Sequence, residues 1–156
     1  MARYAENTSV SSERSRAEIE TILRRYGATG FMYGWQQDAA VVAFEMAGRR
    51  VRFDLPMPDR HSREFTQTPT GKERSELAAE KAWEQACRQR WRALALVIKA
   101  KLEAVESGIT EFESEFLAHI CLPDGGTVGR WMRPQIARAY ETGQMPPLMP
   151  APGGDA

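Results

Sequence analysis

The sequence is thin in the residue types that carry most metal and nucleophilic chemistry. It has two cysteines and two histidines among 156 residues. Cys87 and Cys121 are too few for a disulfide scaffold, so free buried thiols in a reducing cytoplasm are expected. No apolar run approaches the ~18 residues of a membrane span. The opening Met1-Ala2-Arg3-Tyr4-Ala5-Glu6-Asn7 lacks the apolar region of a signal peptide, so none is expected. Neither charge dominates, since Lys plus Arg and Asp plus Glu stand at 21 each. That balance excludes a uniformly basic DNA-coating protein and an acidic DNA mimic, and leaves room for a local basic patch. No CxxC, HExxH or GxSxG occurs.

What is present suits one globular domain. Apolar residues make up 42 % of the chain, enough for a core. The expected division is a single domain over residues 1–144 and a flexible Pro/Gly-rich tail over 145–156. Ser15 and Glu18 read as a capping box, followed by Ile19, Ile22, Leu23 and Tyr26 at helical spacing and a Gly27 stop. This predicts a helix over 15–26. The period then becomes two. Phe31, Tyr33 and Trp35 alternate with smaller residues, Val41–Phe44 is a short β-prone run, and Val51, Phe53 and Leu55 alternate with Arg50, Arg52 and Asp54. Short connections, including the turn signal Ala47-Gly48, require an antiparallel meander.

A polar loop over 59–74 follows, with Thr70 and Glu73 as a second capping box. Trp83, Cys87, Trp91, Leu94, Ile98, Leu102 and Val105 then form one stripe on a long helix, about 73–106. Such a rod is roughly 45 Å long, more than a small sheet covers. The excess is expected to pack on the C-terminal helices or on a second copy, which makes a homodimer through 73–106 an expectation. Glu84 and Arg88 sit at i, i+4 as an ordinary exposed ion pair. Thr110 and Glu113 read as a third capping box before a short helix. Thr127 caps a last helix that runs to Thr142, with Ile136 and Tyr140 turned inward and Pro134 as a kink or first-turn residue. The fold class is therefore α+β: an N-terminal helix, a three-stranded antiparallel β-meander, one long helix and short C-terminal helices.

Candidate chemistry is sparse. Thr68-Pro69-Thr70-Gly71-Lys72 has the end of a phosphate-binding loop but not its first glycine, and reads as a helix-capping loop. Glu115 and His119 at i, i+4, with Cys121 and Cys87, are the nearest approach to a zinc set. Burial and the helix dipole account for them, so no metal, no cofactor and no enzymatic activity are expected. Charge is more informative. Basic residues outnumber acidic ones over 1–74, and the reverse holds over 108–156. Arg49, Arg50, Arg52, Arg60, Arg63, Lys72 and Arg74 form a candidate basic rim for phosphates. Tyr33 and Trp35 are a candidate base-stacking platform if their face is open, and core if a helix covers it.

Ser15-Arg16-Ala17-Glu18-Ile19-Glu20, Val51-Arg52-Phe53-Asp54-Leu55-Pro56, Thr68-Pro69-Thr70-Gly71-Lys72, the run from Ala82-Trp83-Glu84 to Leu94 and Leu122-Pro123-Asp124-Gly125-Gly126-Thr127-Val128-Gly129 carry a resemblance. Together they resemble small proteins of unassigned function encoded by tailed bacteriophages and prophages, over nearly the whole chain. The resemblance brings no catalytic motif. It implies an association with replication and recombination genes and a place in the host-cell cytoplasm. The expected function is a non-enzymatic phage accessory protein that binds nucleic acid, DNA first. The alternative is a protein-binding module that inhibits or redirects a host factor, such as a defence or transcription component.

Overall fold

The computed structural model describes residues 5–36 and 38–145. Of the tail expected over 145–156, residues 146–156 lie outside the described residues. The elements run α1 (Ser12–Arg25), β1 (Gly30–Gln36), β2 (Ala39–Met46), β3 (Arg49–Pro56), α2 (Arg63–Thr66), α3 (Glu76–Glu106), α4 (Phe112–Glu115), a 3-10 turn (Leu117–His119) and α5 (Val128–Thr142). This is the expected α+β architecture.

The sheet is an antiparallel meander in the order β1-β2-β3. Its register places Phe31, Phe44 and Val51 in one row and Tyr33, Val42 and Phe53 in the next. Period two sends these rows to one face, where α1 and α3 pack. Phe116, next to α4, closes the end of this core with its ring edge-on to Phe44 and Phe53 (centroids 5.8 and 6.4 Å). The opposite face, with Met32, Glu45, Arg50, Arg52 and Asp54, is met by α5 at its margin, where Arg130 pairs with Asp54 (4.0 Å). β1 pairs with β2 only, so its outer edge is free among the described residues. The β3 edge is extended by Ile120, which bridges to Val51, and by the Cys121 N–H, which donates to the Arg50 carbonyl (2.8 Å).

Helix starts differ from the capping-box reading. α1 begins one turn early, because the Ser11 hydroxyl accepts from the Arg14 N–H (3.1 Å). Ser15 lies inside the helix and is fully buried. Ser75, not Thr70, caps α3, while Thr70 pairs with the Thr68 hydroxyl. α4 has no side-chain cap, and the Thr110 hydroxyl donates to the Glu111 carbonyl. Only Thr127 caps as expected, accepting from the Arg130 N–H (3.3 Å). Several Ser/Thr candidates stood within a turn of each start, and the hydroxyl that meets an unpaired helical N–H decides.

The apolar stripe of the 31-residue α3 is largely buried within one chain. Cys87, Trp91, Leu94, Ile98 and Leu102 are buried against α1, the sheet and α4. Its N-terminal turns are held by the loop after β3. There the Trp83 indole N–H donates to the Pro58 carbonyl (2.8 Å), Arg60 lies over the Trp83 ring (4.2 Å), and Arg90 donates to the Pro56 carbonyl (2.8 Å). The stripe on 73–106 is thus largely covered within the chain, and Leu77 and Val97 of α3 stay exposed. Ile136 and Tyr140 do not turn inward. Both are exposed, and α5 has no buried residue. No helix among the described residues is long and apolar enough to cross a membrane.

Candidate nucleic-acid interface

The seven rim residues fall into two groups, one at the sheet and one in the segment after β3. Arg50 and Arg52 share the open sheet face, as the strand period requires. Each is matched by a carboxylate: Arg50 by Glu45 (2.9 Å), Arg52 by Asp54 (2.8 Å), with the Gln36 side-chain carbonyl also accepting from Arg52 (3.0 Å). Bonding to Glu45 raises the Arg50 pKa further above its ordinary value. Both arginines, together with Arg49, line a groove of about 780 Å³ between the sheet and the Cys121–Gly125 segment. Arg49 has the opposite strand parity and pairs with Glu113 of α4 (3.2 Å). Arg60 is committed to Trp83. Arg74 donates to the Glu64 and Phe65 carbonyls (3.5 and 3.3 Å). Arg63 and Lys72 are exposed in the same loop.

Tyr33 and Trp35 belong to a different assembly. They lie on the helix-covered face, at the free edge, where the cover ends. Tyr33 meets the Trp91 ring edge-on (5.7 Å) and Trp35 edge-on (6.3 Å). The Trp35 indole N–H donates to the Tyr33 hydroxyl (3.0 Å). The Arg16 guanidinium from α1 lies 4.7 Å from the Tyr33 ring centre and 5.2 Å from that of Trp91. Trp83, Arg88 and the first turn of α1 complete the walls of a groove of about 420 Å³. Arg88 is oriented by two bonds to the Gln85 side-chain carbonyl (3.0 and 2.6 Å), so the expected Glu84–Arg88 pair is replaced by Gln85. Gln85 in turn donates to the Thr8 carbonyl (2.8 Å). Trp35 keeps 62 % of its surface exposed although its one polar group is satisfied.

No known protein family, curated protein or solved structure matches the chain. The groove must therefore be read from its own chemistry.

Sequence reasoning found Tyr33 and Trp35 and missed Trp83, Trp91, Arg16 and Arg88. The signal was available: Trp83 and Trp91 sit eight residues apart on one helical face, with Arg88 between them. Beside two carboxylates (Glu13 and Glu84), the groove offers flat aromatic surface, two guanidinium groups and the N-terminal turn of a helix. These are means of holding an unsaturated ring and an anion.

The residues weighed for metal or nucleophilic chemistry are employed elsewhere. Among the described residues no group of three His, Cys, Asp or Glu is placed to hold a metal. Glu115 pairs with Lys101 (3.2 Å), and His119 stacks on Phe53 (4.0 Å). Burial pushes the Cys87 thiol up, and Cys121 likewise, which disfavours the reactive thiolate. Burial, helped by Lys101, pushes the His119 pKa down.

Proposed function

We propose that the protein is a non-enzymatic nucleic-acid-binding protein whose working surface is the aromatic groove at the free edge of β1. One observation carries this reading: Trp35 stands largely exposed beside a Tyr33–Arg16–Trp91 stack, with its N–H already bonded. An indole so placed has no polar group left to satisfy and a ring free to receive a base. Base–aromatic stacking is sequence-tolerant and contributes about 1–3 kcal/mol per base. Stacking needs an unpaired base, so a single strand is preferred over a duplex. Arg88 and the α1 N-terminus supply donors for a phosphate, on a wall that also holds Glu13 and Glu84. The reading extends to DNA in replication or recombination within a host cytoplasm, as a phage origin would imply. Arg50 and Arg52 are a secondary contact, because each is already matched by a carboxylate.

The test is fluorescence anisotropy with labelled single- and double-stranded DNA at ~50 and ~200 mM salt. Single-strand binding that weakens at the higher salt, quenches tryptophan fluorescence and is weakened by about 1–3 kcal/mol in Trp35→Ala is the expected result. No binding at the lower salt overturns the reading.

A further inference from the structure

We infer that Glu84 selects the base that stacks on Trp35, and that the base it selects is guanine in a single strand. The inference rests on the nucleic-acid reading of the groove at β1 and adds the substrate preference of that same site.

α3 carries Glu84, Cys87, Arg88 and Trp91 on one helical face, and all four line the groove beside Trp35. Arg88 stands one turn beyond Glu84, the spacing at which the two would pair. It is bonded instead to the Gln85 side-chain carbonyl (3.0 and 2.6 Å), and Gln85 is itself anchored to the Thr8 carbonyl (2.8 Å). Glu84 is thereby left with no hydrogen bond or ion pair among the described residues. The other carboxylate of the groove, Glu13, pairs with Arg16 (3.7 Å). The indole N–H groups of Trp35 and Trp83 are spent on Tyr33 and Pro58. An unpaired carboxylate repels a phosphate. In a groove that holds nucleic acid, its contribution therefore comes through the base.

Hydrogen-bond chemistry names that base. A carboxylate accepts and does not donate, and its two oxygens lie side by side. It suits an edge that presents two adjacent donors, as a bidentate pair does. A base in a single strand has its Watson–Crick edge open to such a contact. Among the four bases of DNA, only guanine offers two neighbouring donors there, N1–H and the N2 amino group. Adenine sets its N6 amino group beside the N1 lone pair. Cytosine sets its N4 amino group beside the N3 lone pair, and thymine flanks N3–H with two carbonyl oxygens. Each of these three turns at least one acceptor toward the carboxylate, which repels it and leaves an oxygen unpaired. Stacking on Trp35 tolerates any base, so Glu84 supplies a discrimination that stacking lacks. A groove of about 420 Å³ has room for one purine.

The test is fluorescence anisotropy of the full chain with short labelled thymidine oligonucleotides at ~50 mM salt. One central thymine is replaced by guanine, by adenine as the purine control, or by hypoxanthine, which keeps N1–H and lacks the N2 amino group. The guanine strand should bind roughly 5- to 100-fold tighter than the adenine strand, the discrimination one bidentate pair allows, with hypoxanthine between them. Glu84→Gln should bring the guanine-to-adenine ratio close to one, because an amide offers one acceptor in place of two. Glu80→Gln, one turn away on α3 and outside the groove, should leave the ratio unchanged. Guanine bound no tighter than adenine overturns the inference and leaves the reading of the groove in place. So does a preference that survives Glu84→Gln, or one that Glu80→Gln removes. No binding of any strand overturns the inference and the reading together.

Discussion

Trp35 donates its indole N–H to the hydroxyl of Tyr33, two residues away on the same face of an edge strand. The bond satisfies the only polar group of an indole that is otherwise left in water. Removing the Trp35 side chain takes nothing from the core, which is built from other residues. Trp35→Ala should therefore change unfolding free energy by less than ~0.5 kcal/mol, as exposed substitutions do. Single-stranded DNA affinity should fall by about 1–3 kcal/mol, the range for one stacked base. Urea denaturation and anisotropy on the same preparation separate the two effects.

Ser11 and Ser15 should respond to alanine with opposite signs. The Ser11 hydroxyl caps α1, and its loss costs ~1 kcal/mol. The Ser15 hydroxyl is buried without a partner, so Ser15→Ala removes an unpaid desolvation and improves helix propensity. Ser11→Ala should lower the urea midpoint and Ser15→Ala should raise it. Equal destabilisation by both would contradict the observed helix start.

The β2–β3 turn stores removable strain. Ala47 and Gly48 both have positive φ, 52° and 72°. That is the mirror-image two-residue turn of hairpins, which prefers Asn-Gly. The left-handed region costs alanine roughly 1–2 kcal/mol. Ala47→Asn should raise Tm by about 2–4 °C per kcal/mol recovered, read by calorimetry.

His119 makes stability depend on pH. Burial, then Lys101, hold its folded pKa below the ordinary 6.5, while the Arg52 backbone and Asp54 act weakly the other way. The unfolded chain therefore takes up this proton first as pH falls. The contribution is complete above ~6.5 and is lost as pH falls from there toward the folded pKa. The urea midpoint should drop between about pH 7.5 and about pH 5.5, and His119→Gln should flatten that slope whatever its effect on absolute stability.

The meander and the long helix were legible because periods two and 3.6 are written over many residues, and each position repeats the same message. The α5 boundaries were legible for a different reason: Thr127 and Gly143 are both strong signals and stand without competitors. Helix starts elsewhere were not, because Ser/Thr-x-x-Glu recurs at Ser15, Thr70 and Thr110 without marking an N-terminus. Nor was the grouping of arginines. Adjacent Arg49 and Arg50 fall on opposite sides of a strand, and Arg60 is carried to Trp83 by a loop whose path no local pattern encodes. The inward turn expected of Ile136 and Tyr140 failed because amphipathicity states that a helix has an apolar face, not that this chain covers it.

The sheet keeps its two grooves apart: the aromatic groove sits at the β1 edge on the helix-covered side, and the groove lined by Arg50 and Arg52 opens on the other face. Either can be filled without closing the other.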